Sequence, residues 1–384
     1  MLRFLTLVLI IFQSCCGVVM ADEDSDRRDQ MARQILDEMS PLNGPGLQYV
    51  VVDNASTIFE YSTGLSDIST NKSLELDQTL AAFSMTKPLT AIAILQLVER
   101  NRLDLDDKLS DIIQHPYDHG VTIAQLLAHT SGIPNPIPLK WVHLVEDHAG
   151  FDESLALTAV LKKHNNIDSK PGVKYKYSNI GYWLLGKVIE QVSGLFYPTF
   201  IQKNIFSPLE LTSADIGFLL ADVASHAKGY LKKWSLMDIA GRFLIDDGVY
   251  GSNEGNWIRI KNLYPNGPSF GGAIGTARSF SVVLKDLLSG QSRLLGPTGK
   301  QLLYSQQSVA SGKKIDMTLG WHIRQLDKMT YFYKEGGGAG FCCEMRVYPE
   351  AGLASVLMLN RTSFNFKKNL SALDRLFVQP HSHN

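Results

Sequence analysis

The chain has 384 residues, 45% of them hydrophobic, with a formal net charge of -1. That length holds one large domain or two ordinary ones around an ample core. The near-zero charge gives no electrostatic basis for binding nucleic acid or an anionic membrane surface, and no repeats, heptads or long low-complexity runs occur.

The first 21 residues read as an export signal. Met1-Leu2-Arg3 is a short positive start, Phe4 to Phe12 is continuously apolar, and Val19-Met20-Ala21 precedes acidic Asp22-Glu23-Asp24. This pattern predicts a cleaved signal over 1–21 and an exported protein, periplasmic or secreted. Two alternatives involve a membrane: an uncleaved anchor, since residues 2–21 can span a bilayer of ~30 Å, and lipidation at Cys15 or Cys16, although Phe12-Gln13-Ser14 fits a lipidation box poorly. The other two cysteines, Cys342 and Cys343, are adjacent. Neighbours on a strand point to opposite faces, so no disulfide and no metal site is expected. One thiol should be buried and the other exposed.

Residues 22–29 are charged and expected to fray, and Gln30 to Met39 suits a short amphipathic helix. Leu47 to Val52 and Thr57 to Tyr61 flank Asp53-Asn54-Ala55-Ser56, which predicts a hairpin. After Ala82-Phe83-Ser84-Met85-Thr86-Lys87-Pro88, the run Leu89 to Val98 is apolar almost all round, the mark of a helix in the middle of a domain. Pro88 is tolerated there, because a first-turn N–H has no intrahelical partner to lose. Thr122 is a good N-cap for the short helix that follows it, and 131–138 is a loop rich in proline and glycine. Helices are predicted at Leu155–His164, Gly181–Val192 (closed by Ser193-Gly194) and Tyr197–Ile205.

From 216 to 268 the pattern is poor, and an irregular covering segment is expected. Phe280–Leu288 reads as a helix. Met329–Lys334 reads as a strand leading into a glycine-rich turn from Glu335 to Gly340. Two further strands, Phe341–Tyr348 and Leu353–Leu359, precede a final helix at Ser371–Phe377. Strands at both ends and helices between predict an α+β fold, with one antiparallel sheet built from the two termini and a helical subdomain, about 103–290, inserted. The expected division is a signal over 1–21, a tail and helix over 22–45, one domain over 46–377 and a tail over 378–384.

Three separated features carry chemistry. Ser84 and Lys87 stand at i and i+3, one turn apart on a shared helix face, which places an amine where it can activate a hydroxyl. Tyr177-Ser178-Asn179 is the second feature, and Lys334-Glu335-Gly336 at a strand end is the third. Each alone has a plain structural explanation: a capping serine, a core tyrosine, a capping asparagine, solvated charges at a strand end. The glycine run 336–340 joins strands instead of opening a helix, so it is not a dinucleotide loop. His129 is expected to be structural.

Together, and in this order, these features resemble the serine β-lactamase-related superfamily, nearest the branch of class C β-lactamases, D-alanyl-D-alanine carboxypeptidases and family VIII esterases. The resemblance runs from about Gly46 to Asn360. It includes Leu126-Leu127-Ala128-His129-Thr130-Ser131-Gly132-Ile133-Pro134, Tyr182-Trp183-Leu184-Leu185-Gly186, Asn204 to Leu209, and Gly271 to Arg278. It implies the β-lactamase/penicillin-binding-protein transpeptidase-like fold, an α/β sandwich with helices on both faces of the sheet. It also implies a serine hydrolase that needs no cofactor and no metal, acting on a small-molecule or peptide-like substrate; the oligomeric state stays open.

The resemblance casts Ser84 as the acylated nucleophile, with Lys87 and Tyr177 as proton-transfer groups, either of which could take the first proton. Asn179 would hold Lys87 or the substrate, and Lys334 would be a nearby cation that favours a neutral Lys87. The oxyanion would lie between the backbone N–H groups of Ser84 and Gly337, each typically worth roughly 3–4 kcal/mol. Gly336 and Glu335 would border the substrate.

The departure from the family pattern is Glu335, where a threonine or serine usually helps to bind a carboxylate. A charge facing the cleft there would repel β-lactams and D-alanyl peptide ends, and would favour neutral or cationic esters and amides. If the strand turns the side chain away, the effect is smaller. The expected activity is therefore an exported serine esterase or amidase. A D,D-carboxypeptidase or weak class C-like β-lactamase is the enzymatic alternative, and a non-catalytic binding protein retaining the fold is the other class. A binding protein has no need to keep Ser84, Lys87, Tyr177 and Lys334 together.

Overall fold

A computed structural model describes residues 24–137, 140–235, 247–362 and 364–378. The residues read as an export signal, 1–21, lie outside these.

Leu47–Val52 (β1) and Thr57–Thr63 (β2) form the expected hairpin, and four strands from the far end of the chain join it: His322–Leu326 (β3), Met329–Gly338 (β4), Phe341–Tyr348 (β5) and Leu353–Leu359 (β6). The six are antiparallel in the order β3-β4-β5-β6-β1-β2. The seam between the chain's two ends is β1 against β6, with Val50 opposite Val356. All six residues of β1 are buried, because helices cover both faces of the sheet. This is the expected α+β architecture.

On one face, Leu47, Tyr49 and Val51 pack with Ala32 and Leu36 of a helix over residues 24–39 (α1), and with Leu370 and Leu373 of a helix near the C-terminus. On the other, Val50 and Val52 share a core with Lys87–Glu99 (α2), Asn179–Ser193 (α3) and Ala277–Leu288 (α4). α2 is the apolar rod expected from its sequence; every residue from Lys87 to Leu97 is buried. Two of its polar residues find distant backbone partners: Thr90 donates to the Ser269 carbonyl and Gln96 to the Leu294 carbonyl.

Five expectations need correction. The helix α1 already runs from residue 24, where fraying was expected; the Arg28 guanidinium caps the ring of Phe377 at 4.9 Å, a contact no local pattern reveals. The last helix, Phe366–Phe377 (α5), begins five residues before the predicted Ser371, with Asn365 capping it through the Lys368 N–H. Both cysteines are buried, at 7% and 1% exposure. They do face opposite sides, Cys342 towards the α1/α5 core and Cys343 towards α2, but other residues cover both.

The segment 216–268 is not irregular throughout. Gly229–Lys232, Tyr250–Glu254 and Trp257–Ile260 form a small antiparallel sheet, and Leu263–Pro265 pairs with Val142–Leu144. These strands are short, and Tyr250–Glu254 is largely exposed, so alternation is weak. Finally, the glycines from 336 to 338 continue β4 in register with Cys343, Cys342 and Phe341. Only Ala339 and Gly340, both at positive φ, make the turn.

One ionic cluster ties α5 to the sheet. Arg346 on β5, fully buried, pairs with Glu344 at 2.5 Å and Asp374 at 3.1 Å, and donates to the Phe366 carbonyl. Tyr49 and Tyr348 donate to the two oxygens of Asp374. Removing the cation strands two buried acids, a loss of the kind worth ~3–5 kcal/mol. Arg346→Met is therefore expected to lower unfolding stability by about that much, read as a fall in the urea midpoint at unchanged slope; a midpoint within error of the parent would refute the role.

Candidate active site

Ser84 sits in a 3-10 turn, Phe83–Thr86, that runs straight into α2. The residue before it, Phe83, has φ +44°, a conformation unfavourable for a bulky side chain. Tertiary bonds hold it there. Thr86 Oγ1 donates to the Phe83 carbonyl at 2.7 Å and accepts from the Ala273 N–H at 3.0 Å, while the Ala82 N–H donates to the Ala273 carbonyl. The strained step turns Ser84 out at the head of a buried helix, where the positive end of the helix dipole is available.

The glycine strand makes this position accessible to β4. A Cβ on Gly336 would stand 2.1 Å from the Ala82 carbonyl oxygen and 2.9 Å from the Met85 nitrogen, and one on Gly338 would stand 2.8 Å from the Phe83 ring. The backbone of the Ser84 turn therefore lies directly on the strand. The Cys343 thiol donates to the Ala82 carbonyl at 3.1 Å and pins the same contact.

The expected residues converge. Lys87 Nζ lies 3.0 Å from Ser84 Oγ, 2.8 Å from Asn179 Oδ1 and 2.6 Å from the Phe270 carbonyl oxygen. The Tyr177 hydroxyl donates to Ser84 Oγ at 2.8 Å. Lys334 is buried with its ammonium 4.7 Å from the centre of the Tyr177 ring. Burial, reinforced by the Lys334 charge, pulls Lys87 well below the ordinary lysine range. Burial brings Lys334 down to about 7, against a smaller upward pull from Glu335. Burial also raises Tyr177 above the ordinary tyrosine range, the Ser84 hydrogen bond opposing it and Tyr175 and Glu335 adding to it.

The Tyr177 segment is held by the His129 loop. Buried His129, itself at φ +58°, accepts the Ser178 N–H on Nδ1 and the Lys176 N–H on its carbonyl. Its ring lies 4.3 Å from that of Tyr177. Asn179 is the first residue of α3; Ser178 is the cap, accepting from Gly181. This frees the Asn179 side chain for Lys87, while its N–H donates to Asn135 Oδ1.

Residues 32–378 match the model of the β-lactamase family. The chain belongs to this family of serine hydrolases. Penicillin-binding protein 4* of Bacillus subtilis is 23% identical over 357 residues, 91% of this chain and 75% of that protein. Among solved structures, the D-amino acid amidase of Ochrobactrum anthropi SV3 complexed with L-phenylalanine amide superposes with a TM-score of 0.75 at 17% identity, covering 91% of this chain and 98% of that one. The octameric penicillin-binding protein homologue from Pyrococcus abyssi gives 0.72 at 20% identity, covering 92% and 77%. At these identities the two structures establish the shared fold.

Ser84, Tyr177, Lys334, Glu335, Gly336 and Gly337 all line one open cleft of about 1000 Å³. Glu335 is exposed and pairs across the ladder with Glu344, so the pleat carries its side chain to the sheet face opposite that of Lys334 and Gly336. Its charge sits at the mouth of the cleft, beside Arg324 and Phe366. Three further contributors were not read from sequence. The Phe270 carbonyl is backbone and leaves no sequence signal. Tyr175 and His322 also line the cleft, 3.1 Å apart; burial, with Lys334, Arg324 and Lys87, pushes His322 down to about 2.

Because the Ser84 turn rests on bare strand backbone, Gly336→Ala must push the two apart. The rate at which a fluorophosphonate labels Ser84 is expected to fall at least ~100-fold, the scale set by a displacement of about 1 Å. A rate within threefold of the parent would show that the contact does not position the serine.

Proposed function

We propose that this protein hydrolyses esters or amides through an acyl-enzyme on Ser84, with Lys87 as the first general base. The observation that carries the reading is the set of partners around Lys87 Nζ. A neutral amine has two N–H donors and one lone pair. Asn179 Oδ1 and the Phe270 carbonyl are acceptors, and each takes one N–H; the lone pair is left for the Ser84 hydroxyl at 3.0 Å. Tyr177 is unsuited to be the first base, because burial keeps the proton on its phenol.

In this reading Ser84 Oγ attacks the substrate carbonyl carbon as its proton moves to Lys87. The resulting oxyanion is held by the N–H groups of Ser84 and Gly337. Tyr177, already donating to Ser84 Oγ, passes its proton to the departing oxygen or nitrogen and regains one from the Lys87 ammonium. Water then attacks the acyl carbon, giving up a proton to the same pair, and Ser84 leaves as the hydroxyl. Lys334 contributes a field that keeps Lys87 neutral.

Neutral or cationic esters and amides are the proposed substrates, ahead of β-lactams and D-alanyl peptides. The support is chemical: position 335 offers no hydroxyl for a carboxylate and puts a negative charge at the cleft mouth. The turn of Glu335 to the far face moderates this preference. The likeness to a D-amino acid amidase supports amides within the range.

Incubated with a fluorophosphonate, the protein is expected to gain one adduct by intact mass, absent from Ser84→Ala, and Lys87→Met should slow labelling ~10²–10⁴-fold. No adduct on folded protein, or one that survives Ser84→Ala, defeats the reading; faster turnover of a cephalosporin than of p-nitrophenyl esters defeats the substrate assignment.

The labelling rate should also rise with pH along a limb set by loss of the Lys87 proton. A positive neighbour favours the neutral amine, so removing it raises the pKa. Lys334→Met is therefore expected to shift the limb to higher pH, while Lys334→Arg leaves it in place or shifts it down. A limb that does not move in Lys334→Met would show that this charge does not act on Lys87.

A further inference from the structure

Beyond Gly337 lies a second cavity of about 340 Å³, which Lys87 does not line. That is within the size range of small-ligand sites and far larger than the voids a packed core leaves. Its walls come from well-separated parts of the chain: Phe83 and Phe270 beside Ser84, Trp141 from the loop after the His129 segment, Leu231 and Ile260 from the small sheet, and Phe341 closing the end. Among the described residues, no charged side chain lines it.

Gly337 and Cys342 border both this chamber and the Ser84 cleft. The two spaces therefore meet at the glycine assigned to the oxyanion. Tyr177, Lys334 and His322 line the cleft and not the chamber. A substrate carbonyl placed at Ser84 has its leaving group beside the proton donor Tyr177, so its acyl group extends the other way, past Phe83. The glycines of β4 keep that route clear: any side chain on Gly338 would collide with the Phe83 ring.

We propose that the chamber between Phe83, Trp141 and the inserted sheet receives the acyl group, and that the substrates are neutral esters or amides whose acyl part is apolar and larger than acetyl. This rests on Ser84 being the nucleophile. An uncharged, mostly apolar enclosure binds a chain by removing its surface from water; among the described residues Tyr250 and Thr362 are its polar side chains with hydroxyls, and a charged acyl group finds no counter-charge there.

The test is kcat/KM for p-nitrophenyl acetate, butyrate and hexanoate, which share one leaving group, on the full chain whose Ser84 labelling has been measured. Added methylenes in an apolar pocket discriminate by tenfold or more, so hexanoate is expected to exceed acetate by at least ~10-fold. Val249→Trp and Val142→Trp each insert a ring from a different, half-exposed wall position. In either variant the hexanoate-to-acetate ratio should collapse towards one, whatever the absolute rates; two sites guard against one variant misfolding. Ser84 labelling together with equal rates for acetate and hexanoate overturns the chamber and leaves the proposed chemistry standing, as does a ratio that survives in both folded variants. Absence of Ser84 labelling overturns the chemistry and the chamber with it.

Discussion

A lysine amine with no exposure to water governs this molecule. Lys87 is 0% exposed, and its three hydrogen-bond partners, a serine hydroxyl, an asparagine carbonyl and a backbone carbonyl, are all neutral. An ammonium in such a place is costly, and the neighbouring Lys334 adds to the cost. Burial and the neighbouring charge lower the proton affinity of Lys87, which is the condition the base role proposed above requires. Burial of α2 on all sides creates that environment, so the hydrophobic core and the state of the amine beside Ser84 have one origin.

The second constraint is the approach of backbone to backbone. β4 comes from the last quarter of the chain and the Ser84 turn from the first. They touch because positions 336 and 338 carry no side chain. The unfavourable φ of Phe83 is held in place by Thr86, Ala273 and Cys343, residues from the turn, the insertion and the sheet. Ser84 is therefore positioned only when all three have assembled. Rigid mounting of this kind is what catalysis by orientation needs. On the opposite face, the Arg346 cluster anchors α5 to the sheet that carries Lys334 and Gly337.

Much of this was legible in the chain. β1, β5 and β6 follow their hydrophobic runs to the residue, and Thr122 and Gly194 mark helix ends through side-chain and backbone chemistry. The separated motifs at 84–87, 177–179 and 334–336 were visible because each is short and chemically specific. Other features were not, for physical reasons. The strands within 229–260 are too short to alternate clearly, one largely exposed and the other two largely buried. The helix over 24–39 is held near its start by Arg28 against Phe377, more than 300 residues away. The run 336–338 reads as a turn by composition, yet it is a strand because a partner strand supplies the ladder.

By itself, the order of residues determined which groups can do chemistry here: a serine and a lysine one turn apart, a tyrosine, a second lysine and a glycine-rich edge. It also determined that the two ends of the chain would share one sheet. Only the tertiary structure decided what state those groups are in. Whether Lys87 is charged depends on burial and on a neighbour 247 positions along the chain. Whether Glu335 faces the nucleophile depends on the pleat of a strand whose end sequence had obscured. The apolar chamber beside Gly337 is built from distant segments that no local pattern connects. Charge state, facing and enclosure are set by what surrounds a residue in space, and that is settled only when distant parts of the chain pack together.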